Sequence, residues 1–288
     1  MEEGVRAVSH SGYMPTDSQL QGESCRLCWR PWASGKGDGV VYEPLVRPPL
    51  VEAVCEFRFA PTDQWDLTVP GRLYDRISDE FPLREQAQSF ALQLGEGARP
   101  AEPAVQRTSD RVLMHREDGS ALVQVGPHQL AVHHKLPYPG WAGFYTLIER
   151  MLVMYLEIVP STPERVGLRY INQIPLSSSE TTEIGSLITL DPPIPAEIDR
   201  PLENFYQRYE LQHDAPEGVL IHQTGGLQLG PEGERIVVLD LDFGSLPGSA
   251  PDVADAASWL QAAHDRVEEA FQASVNPELL DKMRRGDQ

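Results

Sequence analysis

Residues 165–174, RVGLRYINQI, put charged and amide side chains into the middle of an apolar run, and this limits what the chain can become. By strand alternation Val166, Leu168, Tyr170, Asn172 and Ile174 share one side, and Arg169, Ile171 and Gln173 the other. Buried polar groups need partners. A central strand of this kind therefore dictates what its neighbours supply.

Several other stretches alternate in the same way. In VEAVCEFRF (51–59), Val51, Ala53, Cys55, Phe57 and Phe59 form an apolar side, against Glu52, Glu56 and Arg58. RVLMHRED (111–118) and ALVQVG (121–126) flank Asp118-Gly119, a hairpin turn signal, and LAVHHK (130–135) extends the pair into a meander. GVLIHQTGGLQL (218–229) and ERIVVLDLDF (234–243) read as a second hairpin, with Gly225-Gly226 marking a bulge or bend. Helical periodicity marks residues 70–80, 141–158 and 251–274, and PLENFYQRYE (201–210) reads as one short helix. Residues 94–104 and 175–200 read as loops. The order predicts an α+β fold: a mainly antiparallel sheet of hairpins and a meander, covered by two long amphipathic helices.

Residues 1–44 read as a flexible N-terminal extension, 45–278 as a single α+β domain, and 279–288 as a polar tail. Two similar halves, 45–160 and 161–278, are suggested within the domain. The charge is lopsided, with 43 acidic against 24 basic residues and a net charge of −19. That field opposes sequence-independent binding to nucleic acid and docking on anionic membranes. No stretch reaches the roughly 18 apolar residues of a membrane span, and the N-terminus lacks a secretory pattern, so a cytoplasmic protein is expected.

The blocks PPLVEAVCEFRF, LYDRISDEFP, ALVQVGPHQLAVHH, YPGW, ERVGLRYINQI and VVLDLDF, in that order, resemble a sporadically distributed bacterial family of about this length. That family has no assigned biochemical activity. The resemblance covers roughly residues 48–275. It implies a bacterial, soluble, single-domain protein and brings no catalytic residues with it.

Few residues carry an identifiable chemistry. Asp240 and Asp242 lie two apart on one strand, about 7 Å from each other, and such a pair holds Mg²⁺ or Ca²⁺ if other oxygens converge. The competing reading is a solvated face or partners for arginines such as Arg169. Cys25 and Cys28 have the spacing of half a zinc site but lack two further ligands, so an ordinary reduced tail is expected. Cys55 lies on the apolar side of its strand, where a thiolate is disfavoured. His133 and His134 point to opposite faces.

No nucleophile elbow, phosphate loop, dinucleotide fingerprint or HExxH motif is present. The balance is therefore against catalysis, and no cofactor is expected. The best site guess is the polar sheet surface. Arg169 and Gln173 share one face, Tyr170 and Asn172 the other, and Arg58, Glu56, His133 and Asp242 are placed to join either set. Such a set suits an anionic or polar ligand. It equally suits an internal network that sets strand register. Two functions follow: a non-catalytic interaction or regulatory protein binding a protein partner or a second copy of itself, or a small-molecule binder or enzyme built around Arg169, Tyr170 and Asn172.

Overall fold

The computed structural model of the chain describes residues 42–93, 104–176, 188–189, 204–229 and 235–286. Cys25, Cys28, most of the extension and much of the expected loops lie outside these residues. Among the described residues nine strands form one antiparallel sheet: β1 (Leu50–Phe59), β2 (Leu83–Gln93), β3 (Ala104–His115), β4 (Ala121–Gly126), β5 (Gln129–Lys135), β6 (Pro163–Leu176), β7 (Tyr206–Asp214), β8 (Glu217–Leu229) and β9 (Arg235–Gly244). Their spatial order is β2-β3-β4-β5-β1-β6-β9-β8-β7. Four helices are described: α1 (Val69–Ile77), α2 (Gly140–Ile158), α3 (Ala256–Ser274) and α4 (Pro277–Arg285). The fold is α+β, as the element order predicts.

Alternation decides the faces. Ala53, Cys55 and Phe57 of β1, Val166, Leu168 and Ile174 of β6, and Leu239, Leu241 and Phe243 of β9 are all buried on one side. Both long helices lie there. On α2, Phe144, Ile148, Met151, Leu152 and Tyr155 form the inward stripe, and Tyr155 stacks on Phe59 at 4.9 Å. On α3, Trp259, Leu260, Ala263, Val267 and Phe271 do the same, with Trp259 5.7 Å from Phe243. α1 packs against α2 and adds an ion pair from Arg76 to Glu157 at 2.7 Å.

Local signals set the turns. Gly119 takes the positive φ of +71° in the Asp-Gly hairpin, while Asp118 accepts the Ser120 N–H at 2.9 Å. The register break in β8 falls between Gly225 and Gln228, at the glycine pair read as a bulge. Gly225 has a second reason to lack a side chain, because a Cβ would lie 2.5 Å from the Phe205 carbonyl oxygen.

Two elements differ from expectation, and a third, β2, has no counterpart in the sequence reading. Tyr206–Asp214 is a strand, not part of a helix: β8 offers it a full ladder from Tyr206↔Gly225 to Asp214↔Glu217. Tertiary pairing outweighs the weak helical spacing of Leu202, Phe205 and Tyr209. Residues 83–93 form β2, which pairs with β3. The polar tail folds as α4, where Asn276 accepts the Glu278 N–H, Pro277 sits in the first turn and Gly286 closes the end at φ +77°. Leu280 and Met283 anchor it.

The connectivity repeats. β1 is followed by a meander whose last strand, β5, returns to pair with it, and α2 follows. β6 is followed by the meander β7-β8-β9, whose last strand pairs with β6, and α3 follows. The two units meet through β1 and β6 at the centre. Because Phe57 is fully buried at that centre, Phe57→Ala is expected to cost about 3–5 kcal/mol. Urea unfolding would check this as a shift in midpoint with the far-ultraviolet spectrum unchanged.

Candidate functional site

The second face of the sheet carries no helix among the described residues, and a set of their ion pairs meets there. The register arranges them in cross-strand rows. One row reads Lys135–Glu52–Ile171–Asp240–Gln223 across β5, β1, β6, β9 and β8. The next reads His133–Val54–Arg169–Asp242–Ile221, and the third Ala131–Glu56–Gly167–Gly244–Val219.

Arg169 does not bond Asp242, its direct neighbour. It reaches diagonally and forks onto Asp240, Nε to Oδ1 at 2.8 Å and Nη2 to Oδ2 at 2.5 Å. This bond raises the Arg169 pKa further above its ordinary value. Gln223 Nε2 donates to Asp240 Oδ2 at 3.3 Å, and the Tyr206 hydroxyl donates to Gln223 Oε1 at 2.5 Å. A four-residue chain thus runs from β6 to the β7 edge. It ends beside a groove of about 290 Å³ lined by Asn204, Phe205, Tyr206, Gln223, Gly225 and Asp240 among others.

Arg165 uses a different device. Its guanidinium lies over Gly167 and Gly244, which face each other across β6 and β9. A Cβ on Gly244 would sit 2.7 Å from Nη2, and one on Gly167 3.3 Å from Nη1. From this slot Nη1 donates to Glu56 at 3.3 Å and Nη2 stands 4.0 Å from Asp242. Burial pushes the Asp242 carboxyl up, with Arg165 and Arg169 opposing the shift. Glu56 also accepts from Arg58 Nε at 2.7 Å. His133 Nδ1 meets Glu52 Oε1 at 2.8 Å, and that hydrogen bond lowers the Glu52 pKa.

The six candidate binding residues therefore divide. Arg58, His133, Arg169 and Gln173 lie on the uncovered face; Tyr170 and Asn172 lie beneath the helices. Asn172 is spent on the Leu239 carbonyl at 3.2 Å. Tyr170 joins a buried cluster in which its hydroxyl is 3.0 Å from the Tyr138 hydroxyl and 3.1 Å from His264 Nδ1. His264 stacks on Trp141 at 4.3 Å, and Trp141 Nε1 donates to Gln261 at 2.7 Å. Arg165, Gln223, Tyr206, Tyr138 and His264 were not singled out by sequence. The facing glycines under Arg165 become a signal only once the β6–β9 register is known.

Asp240 and Asp242 do share a face, but Arg169 engages both oxygens of Asp240. Among the described residues no group of three or more His, Cys, Asp or Glu is placed to hold a metal ion. No helix among them is long and apolar enough to cross a membrane. Neither a protein-family model nor a curated protein matches the chain.

Two outcomes follow. Arg169→Ala strands the nearly buried Asp240 carboxylate and is expected to cost about 1–3 kcal/mol. Arg169→Ala combined with Asp240→Ala should cost less than the sum, and a double-mutant cycle by chemical denaturation measures the coupling. For the buried cluster, burial holds the His264 imidazole down to about 4. The unfolded chain protonates it near its ordinary value of about 6.5 and the folded chain only near 4, so the unfolded state binds the extra proton in between. Stability is expected to fall as pH drops through that window, by about 3 kcal/mol from this group. Melting curves of wild type and His264→Gln between pH 7 and 4 check it, the variant losing less.

Proposed function

We propose that the protein is a non-catalytic, cytoplasmic interaction or regulatory protein whose uncovered sheet face docks a partner protein. The observation that carries this reading is the state of the charges on that face. Arg58, Arg165, Arg169 and His133 each face a carboxylate of the same chain. A catalytic site keeps a group poised for substrate, whereas here the prominent groups hold one another. Between them Val54, Ile171, Ile221 and Val238 are only part-buried. A broad surface of part-exposed apolar residues among fixed, mutually compensated charges has the chemistry of a protein interface. The arginines being neutralised, and the net charge being −19, nucleic acid is a poor occupant.

The groove beside Tyr206, Gln223 and Asp240 favours a second reading, a small polar ligand bound at the end of the Arg169 chain. One experiment separates the two. Wild type, Ile171→Arg and Gln223→Ala are purified natively from the source cells and their bound material is identified by mass spectrometry. A stoichiometric protein kept by wild type and lost by Ile171→Arg, with melting unchanged, is the expected result. A retained small molecule lost by Gln223→Ala, with no protein partner, would replace the first reading by the second.

A further inference from the structure

Among the described residues the sheet ends on one side in β7, and no strand pairs with that edge. Nearly every residue from Tyr206 to Asp214 is exposed. Among the described residues, three of the seven exposed large hydrophobic side chains sit on this one strand: Tyr206 at 66%, Tyr209 at 42% and Leu211 at 48%. A long edge strand leaves a row of main-chain donors and acceptors ready to pair. β7 carries no proline, lysine or register break of the kind that blunts an edge.

The internal repeat says what is missing. Matching β1 with β6, β5 with β9, β4 with β8 and β3 with β7 leaves β2 without a counterpart. In the first unit β2 covers the edge of β3. In the second, no described strand covers β7.

We infer that β7 pairs antiparallel with β7 of a second copy of this chain, about a twofold axis passing through Tyr209 and normal to the sheet. The strand's own sequence selects the occupant and the register. Residues opposite one another in an antiparallel pair share a face, and on β7 Arg208 and Glu210 lie on the uncovered face, opposite Gln223 and Ile221 of β8. A twofold at Arg208 sets two arginines together, and one at Glu210 sets two carboxylates together. Centred on Tyr209, it places Arg208 opposite Glu210 of the second copy, and Glu210 opposite that copy's Arg208. On the other face Tyr209 meets its own symmetry mate, with Leu211 on the diagonal. A twofold at Leu211 leaves Glu210 facing Gln212, and so matches only one of the two charges. Within one chain Arg208 Nη2 already bonds Glu210 at 2.6 Å, so both groups are oriented along the edge before pairing. The aligned segment is short of the ~1,600 Å² of a standard interface, so the dimer is weak and concentration-dependent.

This inference uses the edge and is independent of the docking face. Sedimentation velocity across a concentration series tests it on the full chain. Wild type is expected to dimerise reversibly. Arg208→Glu and Glu210→Arg should each weaken the dimer about tenfold or more, because each places two like-charge pairs across the axis. Mixing the two variants in equal amounts should restore association, since every 208–210 contact between the two chains is then of opposite charge. Melting curves of each variant show that the fold is kept, and the recovery on mixing excludes general damage. A strictly monomeric wild type overturns the inference. So does a dimer indifferent to both reversals, which would use another surface, such as the long helices, or a mixture no stronger than its components.

Discussion

The antiparallel pairing of β1 with β6 is the contact on which the rest of the molecule depends. It joins the two meanders, and its register fixes both faces at once. In the observed register Ala53, Cys55 and Phe57 lie beside Tyr170, Leu168 and Val166, and all six turn toward the helices. Because side chains alternate with period two, a slip of one residue in either strand would carry its charged set under the helices and its apolar set outward. Glu52, Glu56 and Arg169 would then be buried without their partners, at a cost far above any single contact in the network.

The charges on the uncovered face are better read as pins on that register than as a source of stability. Part-exposed ion pairs contribute on the order of 0–1 kcal/mol each. Yet Glu56 reaches Arg165 from β1 to β6, Arg169 reaches Asp240 from β6 to β9, and Glu52 meets His133 from β1 to β5. Each of these pairs ties neighbouring strands, and a shifted register breaks it. Between the sheet and the two long helices lies a set of neutral polar groups instead. Tyr138, Tyr170 and His264 share hydrogen bonds, and His222 Nε2 meets the Ser274 hydroxyl at 2.8 Å. Burial drives all four toward the uncharged form. Cross-strand ion pairs thus sit on the uncovered face and this neutral cluster beneath α2 and α3, while the charges of the helix side, Arg116 and Arg150 with Glu80 and Arg76 with Glu157, lie by α1 and its C-terminal turn.

How much of this was legible depended on how strongly one face is buried. Central strands such as 51–59 and 165–174 alternate cleanly because one side is sealed, and α2 shows its stripe for the same reason. Edge strands have no such signature. LREQAQSFALQ and YQRYELQHD are largely polar, so β2 and β7 owe their state to the neighbour that pairs with them rather than to their own pattern. The faces of Arg169, Gln173, Asp240 and Asp242 followed from counting. Their partners did not, because Arg169 bonds diagonally and the Gly167/Gly244 slot for Arg165 exists only across two strands. The Tyr138–Tyr170–His264 cluster joins a loop, a strand and a helix, and no spacing along the chain announces it.

The proposed docking face and the inferred edge pairing are geometrically compatible on one sheet. Strands added at β7 about an axis normal to the sheet extend it in its own plane, so both copies keep their helices on one side and their uncovered faces on the other. Nothing on the proposed docking face is consumed by such an edge contact, apart from the row of Tyr206, Arg208, Glu210 and Gln212 at the seam. A dimer of this form presents two identical faces side by side, and a partner with two matching epitopes would bind the second at high effective concentration. A weak edge contact then acquires a consequence larger than its own free energy. If the edge pairs as inferred, the proposed docking faces would act singly at low protein concentration and together once the dimer forms.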